Sequence, residues 1–248
     1  MLNEVDALSD QLGNYMTKTL LAMNKTWNGP PVAPHFQVFP KKRKPDDEEN
    51  PIIRVSEQES KVVAGIWLRH HHKPFSVETP TTEAYSQKGE TDQSALTDIT
   101  VYKDDGVSRL LNIELKALQP GEEAFRKDLE KLLREKVEGM WFHTLESADM
   151  SSWKAIGGKL WSSYLSLVSD EHPLCQKAMK RPKHAVRFRF VVLDPPKKPL
   201  DPAQAKDFVI RFGQWKEDLE ERFPWETFKP KPKKTRVVAA TKATASAK

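Results

Sequence analysis

The chain has 248 residues, with 40 Lys and Arg against 35 Asp and Glu, a net charge of +5, seven Trp, eleven Phe and one cysteine, Cys175. That is enough for one sizeable domain with extensions. A lone cysteine excludes an internal disulfide and a cysteine zinc cluster. No run of about 18 apolar residues occurs, so no transmembrane helix is expected, and the N-terminus lacks the basic and apolar regions of a signal peptide. An intracellular protein is expected, cytoplasmic, or nuclear in a eukaryote. Charge is uneven: after Glu226 the chain carries seven Lys or Arg and no acid. This Pro- and Ala-rich basic tail reads as disordered and suited to non-specific attraction to nucleic acid.

Residues 2–24 predict an amphipathic helix, with Leu2, Val5, Leu8, Leu12, Met16, Leu20 and Met23 at spacings of three and four. Such a stripe packs on a core or pairs two copies into a homodimer. Asn-Gly-Pro-Pro at 28–31 ends it. Lys41-Lys-Arg-Lys44 runs into Pro45-Asp-Asp-Glu-Glu49, a mobile charged loop whose bases suit nuclear import or a phosphate contact. Residues 56–70 predict the next helix: Ser56 with Glu59 three on makes a capping box, and Val62, Val63, Ile66 and Trp67 form its inward stripe. Glu59 sits at the edge of that stripe, with Glu57 the alternative acid. His70, His71 and His72 follow; three consecutive histidines do not share one metal from a regular element, so they read as a helix terminus favoured by the dipole.

Residues 74–79 predict a strand. The polar stretch 80–95 holds Glu83 and Asp92, which are backup metal ligands. Asp98–Tyr102 is β-branched and aromatic, Asp105-Gly106 is a hairpin signal, and Arg109–Lys116 returns as a second strand. Alternation puts Glu114 and Lys116 on one face, and the hairpin brings Asp98 alongside them. Two carboxylates and an ammonium then converge. Hard divalent cations take carboxylate oxygens, so Mg²⁺, with Mn²⁺ as substitute, is the expected cofactor. Residues 122–136 predict a strong helix with Phe125, Leu129, Leu132 and Leu133 inward and Arg126, Lys127 and Lys131 as phosphate contacts. The aromatic-rich stretch 137–182 reads as helical. Val186–Asp194 reads as a strand buried on both faces, with Arg187 and Arg189 as further nucleic-acid contacts. Residues 202–222 predict a last helix, capped by Asp201 with Pro202 at its first turn.

An acid followed by Glu-x-Lys on a neighbouring strand resembles the PD-(D/E)XK nuclease superfamily. The resemblance covers roughly residues 56–195, and the order of predicted elements, αβββαβ, agrees with it independently of the triplet. Thr97 stands where that pattern has Pro. The resemblance implies a restriction-endonuclease-like α/β fold with a mixed central sheet, an N-terminal helical extension and a helical insertion. It divides the chain into an N-terminal helix and loop (1–55), a nuclease-like domain (56–228) and a tail (229–248). It implies a metal-dependent nuclease with DNA expected ahead of RNA. Asp98 and Glu114 would be metal ligands with the Leu115 carbonyl as a third, Lys116 would stand beside the attacking water, and Glu59 would be the helix acid facing the metal. The alternatives are an inactive nucleic-acid-binding or assembly module on the same fold, and a helical protein-binding adaptor.

Overall fold

A computed structural model describes residues 4–27, 56–82, 95–147, 150–169, 184–194 and 207–224. Its elements are α1 (Glu4–Trp27), α2 (Glu57–His70), β1 (Phe75–Pro80), β2 (Leu96–Tyr102), β3 (Arg109–Ala117), α3 (Glu122–Arg134), β4 (Glu138–Ser147), α4 (Met150–Ser169), β5 (Ala185–Asp194), β6 (Asp207–Arg211), a 3₁₀ turn (Phe212–Gln214) and α5 (Trp215–Arg222). The six strands form one sheet in chain order. β1, β2 and β3 make an antiparallel meander, β3, β4 and β5 run parallel, and β6 returns antiparallel on β5. Parallel neighbours need a crossover connection, and α3 and α4 stand between the parallel pairs.

The sheet is covered on both faces. On one, Leu12, Met16 and Leu20 of α1 and Val63 and Leu68 of α2 meet Ile99, Ile113, Leu115 and Phe142. On the other, Phe125 and Leu132 of α3, Trp153 and Leu160 of α4 and Trp215 of α5 meet Trp141, Val186 and Phe188. Fully burying such side chains contributes about 1.5–3 kcal/mol apiece. The α1 stripe is therefore covered within the chain, and α1 belongs to the same core as the sheet rather than to a separate extension; the apolar face that suggested a homodimer is not exposed. The expected loop 28–55 and tail 229–248 lie outside the described residues.

Local expectations around the meander hold. Ser56 accepts from the Gln58 amide, and Glu59 closes the capping box. Gly106, at φ +69°, makes the β2–β3 turn, where Asp105 Oδ1 accepts from the amides of Val107 and Ser108 at 2.8 and 2.7 Å.

Three expectations need correction. The stretch 137–182 is not wholly helical: β4 precedes α4. Trp141 and Phe142 are adjacent and both fully buried, one in each core, because a strand covered on both faces has no polar alternation to read. The helix–strand–strand–strand–helix–strand order is present, but it closes on β4, not on the strand at 186–194. Residues 207–211 of the expected last helix are instead the edge strand β6. Phe208, Trp215, Leu219 and Phe223 keep helix-like spacing, but Phe208 and Ile210 alternate inward against β5 before the chain turns into α5.

Candidate active site

The β2–β3 ladder pairs Ile99 with Ile113 and Thr100 with Asn112. One step further sets Asp98 opposite Glu114. The same step on the β1–β2 ladder, which pairs Val77 with Ile99 and Thr79 with Thr97, sets Glu78 opposite Asp98. Three acids thus lie in a row across three strands. Asp98 Oδ2 accepts from the Leu115 amide at 2.8 Å, which ties the outgoing strand to the returning one beside Glu114.

Lysines from both helix layers meet this row. Lys61 of α2 contacts Glu78 and lies 3.2 Å from Asp98 Oδ1. Lys131 of α3 lies 2.9 Å from Glu114 Oε2 and 2.8 Å from Asp128 Oδ1, and donates to the Leu96 carbonyl at 2.8 Å. Lys116 lies 2.8 Å from Asp128 Oδ2 and 3.8 Å from Glu57 Oε1, with its ammonium 6.0 Å from the centroid of the Trp141 ring. Asp128 therefore bridges two lysines, one from β3 and one from its own helix.

Burial sets the ionisation. Glu114 is fully buried, which drives its pKa well above the usual carboxylate value, while Lys131 opposes that rise. Burial also works against the Lys131 ammonium, but Glu114 and Asp128 outweigh it and the pKa is raised. Lys116 behaves alike: burial disfavours its charge, yet Asp128 and Glu114 hold it above the ordinary lysine value. Asp128 is correspondingly lowered despite burial, by Lys116 and Lys131. Lys116 is thus a permanent cation here and not a proton acceptor. His143 on β4 has its pKa pushed down to about 4, first by burial and then by the Lys116 charge. Its neutral Nε2–H donates to the Leu118 carbonyl at 2.6 Å. That bond, with the Leu118 amide donating to Thr144 O at 2.9 Å, holds Leu118 at φ +62° where the chain leaves β3 two residues after Lys116.

Asp98, Glu114 and Lys116 are therefore brought together. Glu59, expected as the helix acid facing the metal, caps α2: its Oε2 accepts from the Ser56 amide at 2.8 Å and from the Ser56 hydroxyl. Glu57 takes the site-facing place and accepts from the Ala117 amide at 3.3 Å. Lys131, expected on the surface, is buried against Glu114. Lys127 is half-buried on α3. Arg187 and Arg189 point to the opposite face, where Arg187 pairs with Asp6, and Arg189 with Asp207 at 2.9 and 2.7 Å. His71 donates to Trp67 O at 2.9 Å and stacks on its ring, as a helix terminus should. Glu83 and Asp92 lie outside the described residues.

Asp128 and Lys61 were not singled out from the sequence. Asp128 and Lys131 stand three apart on α3, the spacing at which helix neighbours meet, and that was the available signal. Lys61 follows from no local pattern, since it reaches Glu78 and Asp98 only through the docking of α2 on the meander.

Among the described residues, no three Asp, Glu, His or Cys side chains converge closely enough to hold a metal as they stand. The chemistry of the cluster nonetheless fits a divalent cation. Glu114 Oε1 is buried with no hydrogen-bond partner. Glu57, Glu78, Asp98, Glu114 and Asp128 face Lys61, Lys116 and Lys131, which leaves two negative charges in excess when all are ionised. Also among the described residues, no helix is long and apolar enough to cross a membrane. No family model, no curated protein and no solved structure matches the chain.

Proposed function

We propose that this protein is a divalent-metal-dependent nuclease of the restriction-endonuclease-like kind. The observation that carries the proposal is the buried, unpartnered Oε1 of Glu114, opposite Asp98 on the next strand, with the Lys116 ammonium on the same face. Asp98 and Glu114 would hold Mg²⁺, or Mn²⁺ in its place. Such an ion activates water and stabilises charge on a phosphodiester.

The protein's own contribution is orientation and charge. Asp128 fixes the Lys116 ammonium and keeps it protonated, so Lys116 donates to anionic oxygen rather than removing a proton. The Leu115 amide holds the Asp98 carboxylate, and His143 keeps the end of β3 in place while remaining neutral. The basic tail adds attraction to a polyanion, with DNA expected ahead of RNA.

A second reading has an observation of its own. Lysines already engage oxygens of Asp98, Glu114 and Asp128, and a cluster neutralised in this way suits a non-enzymatic binding module. Plasmid DNA and a structured RNA incubated with Mg²⁺, with and without chelator, separate the two. Cleavage should need the metal and be lost in Glu114→Gln and Asp98→Asn, with binding retained in Ca²⁺. Lys116→Met should lower the rate by roughly 10²-fold or more without lowering metal affinity in step. Binding without cleavage by the unaltered protein on every substrate would favour the module.

A further inference from the structure

A cavity of about 320 Å³ lies between α1 and the β5–β6 edge, on the sheet face away from Glu114. Arg187 and Arg189 flank Phe188, whose ring belongs to the opposite core with α3 and α4. On the cavity side, β5–β6 register pairs Arg187 with Val209 and Ala185 with Arg211. Arg187 and Arg211 are therefore diagonal neighbours on one face. Burial, and then the charge of Arg211, both work against the Arg187 guanidinium and lower its pKa.

Two polar atoms of this lining have no hydrogen-bond partner: Ser9 Oγ and Arg187 Nε, both buried. Ser9 is 3% exposed, and unpaired buried polar groups of this kind cost free energy unless something satisfies them. The acids around the cavity are engaged. Asp207 takes both forks of Arg189. Asp218 accepts from the Arg211 amide at 2.6 Å and from its Nη1 at 3.1 Å. Asp10 and Glu221 lie 3.7 Å from Arg189 and Arg222. Asp6 pairs with Arg187 as well, so the donors of the lining left without an acceptor are Ser9 Oγ–H and Arg187 Nε–H.

We propose that this cavity binds a small phosphate ester, whose oxygens accept from Ser9 Oγ–H, Arg187 Nε–H and the Arg211 guanidinium. Three donor groups suit the three terminal oxygens of a phosphate monoester better than the two of a carboxylate, and guanidinium forks match phosphate geometry. The volume stands at the lower end of small-ligand pockets, about 300–1,000 Å³, which leaves room for an organic portion beyond the phosphate. The site is separate from the Glu114 cluster and independent of the nuclease proposal.

Calorimetric titration of the full chain with inorganic phosphate, ribose 5-phosphate and a short oligonucleotide tests it. Ribose 5-phosphate should bind once per chain and more tightly than inorganic phosphate. Ser9→Ala should weaken it about fivefold, the worth of one hydrogen bond, and Arg211→Gln about tenfold or more, the worth of a charged one. Arg211 is half exposed, so its replacement leaves the core intact, and a thermal melt checks that both variants fold. No saturable binding of ribose 5-phosphate in the millimolar range overturns the proposal, as does binding unchanged in both variants. Binding of the oligonucleotide alone, weakened in both variants, also overturns it and makes the cavity a backbone-phosphate contact.

Discussion

Lys131→Met removes one ammonium from the buried cluster and keeps the aliphatic stem. Lys131 holds Glu114 at 2.9 Å and Asp128 at 2.8 Å, so the variant leaves a fully buried carboxyl without its cation. Breaking a buried pair from one side costs about 3–5 kcal/mol, but a carboxyl can escape by binding a proton, and this makes the loss depend on pH. Burial already raises the Glu114 pKa and Lys131 pulls it back, so removing Lys131 raises it further. A carboxyl whose folded pKa exceeds its unfolded value destabilises the fold as pH rises past the unfolded value, here 4.5. The penalty grows by about 1.4 kcal/mol per pH unit until the folded pKa is passed. Asp128 adds in the same sense, because Lys131 helps hold its pKa down. Both proteins carry this penalty up to the raised Glu114 pKa of the unaltered one, so urea unfolding should show them differing by about 1 kcal/mol near pH 4, for the lost hydrogen bonds, and by more toward pH 8, first through Asp128 and then through Glu114 once the unaltered protein ionises it, up to about 3–5 kcal/mol. An equal loss at both pH values, or less than about 1 kcal/mol near pH 8, would refute the buried-pair account. If the cluster holds metal, the variant should also bind Mn²⁺ more tightly, since an ammonium no longer competes for Glu114.

His143 has a folded pKa of about 4 against an ordinary 6.5, so its contribution to stability is complete above about pH 6.5 and falls as the unfolded chain takes up a proton. That loss is on the order of 3 kcal/mol across the window, and His143→Gln should flatten the stability profile between those limits in chemical denaturation. Gly13→Ala places a Cβ 2.3 Å from Arg189 Nη1. Arg189 is pinned by Asp207 and by Asn14 at 3.1 Å, so it cannot swing away freely; about 1–3 kcal/mol should be lost, seen as a lowered denaturation midpoint, and an unchanged midpoint would mean the clamp is loose.

What the sequence determined by itself lies mostly in short range. Ser56 and Glu59 cap α2, Asp105-Gly106 turns the hairpin, and the parity of Glu114 and Lys116 needs only the strand repeat of two. The hairpin by itself folds β2 back along β3, but it is the register shift between Val101 and Tyr102 that sets Asp98 opposite Glu114; the register next to the turn, Tyr102 with Arg109, would have set it opposite Ile113. Tertiary structure decided what those residues touch. α3 had to dock on β3 before Asp128 could bridge Lys116 and Lys131, so a helix that reads as a charged exposed face delivers two of the buried charges. α2 had to settle at its particular height for Glu57 to reach Lys116. β4 was hidden because burial on both faces erases the polar alternation by which a strand is recognised, and β6 because Phe208 keeps the helical spacing of Trp215 and Leu219. Local rules act through backbone geometry that neighbours along the chain impose, whereas ion pairs between residues tens of positions apart exist only once the layers are assembled.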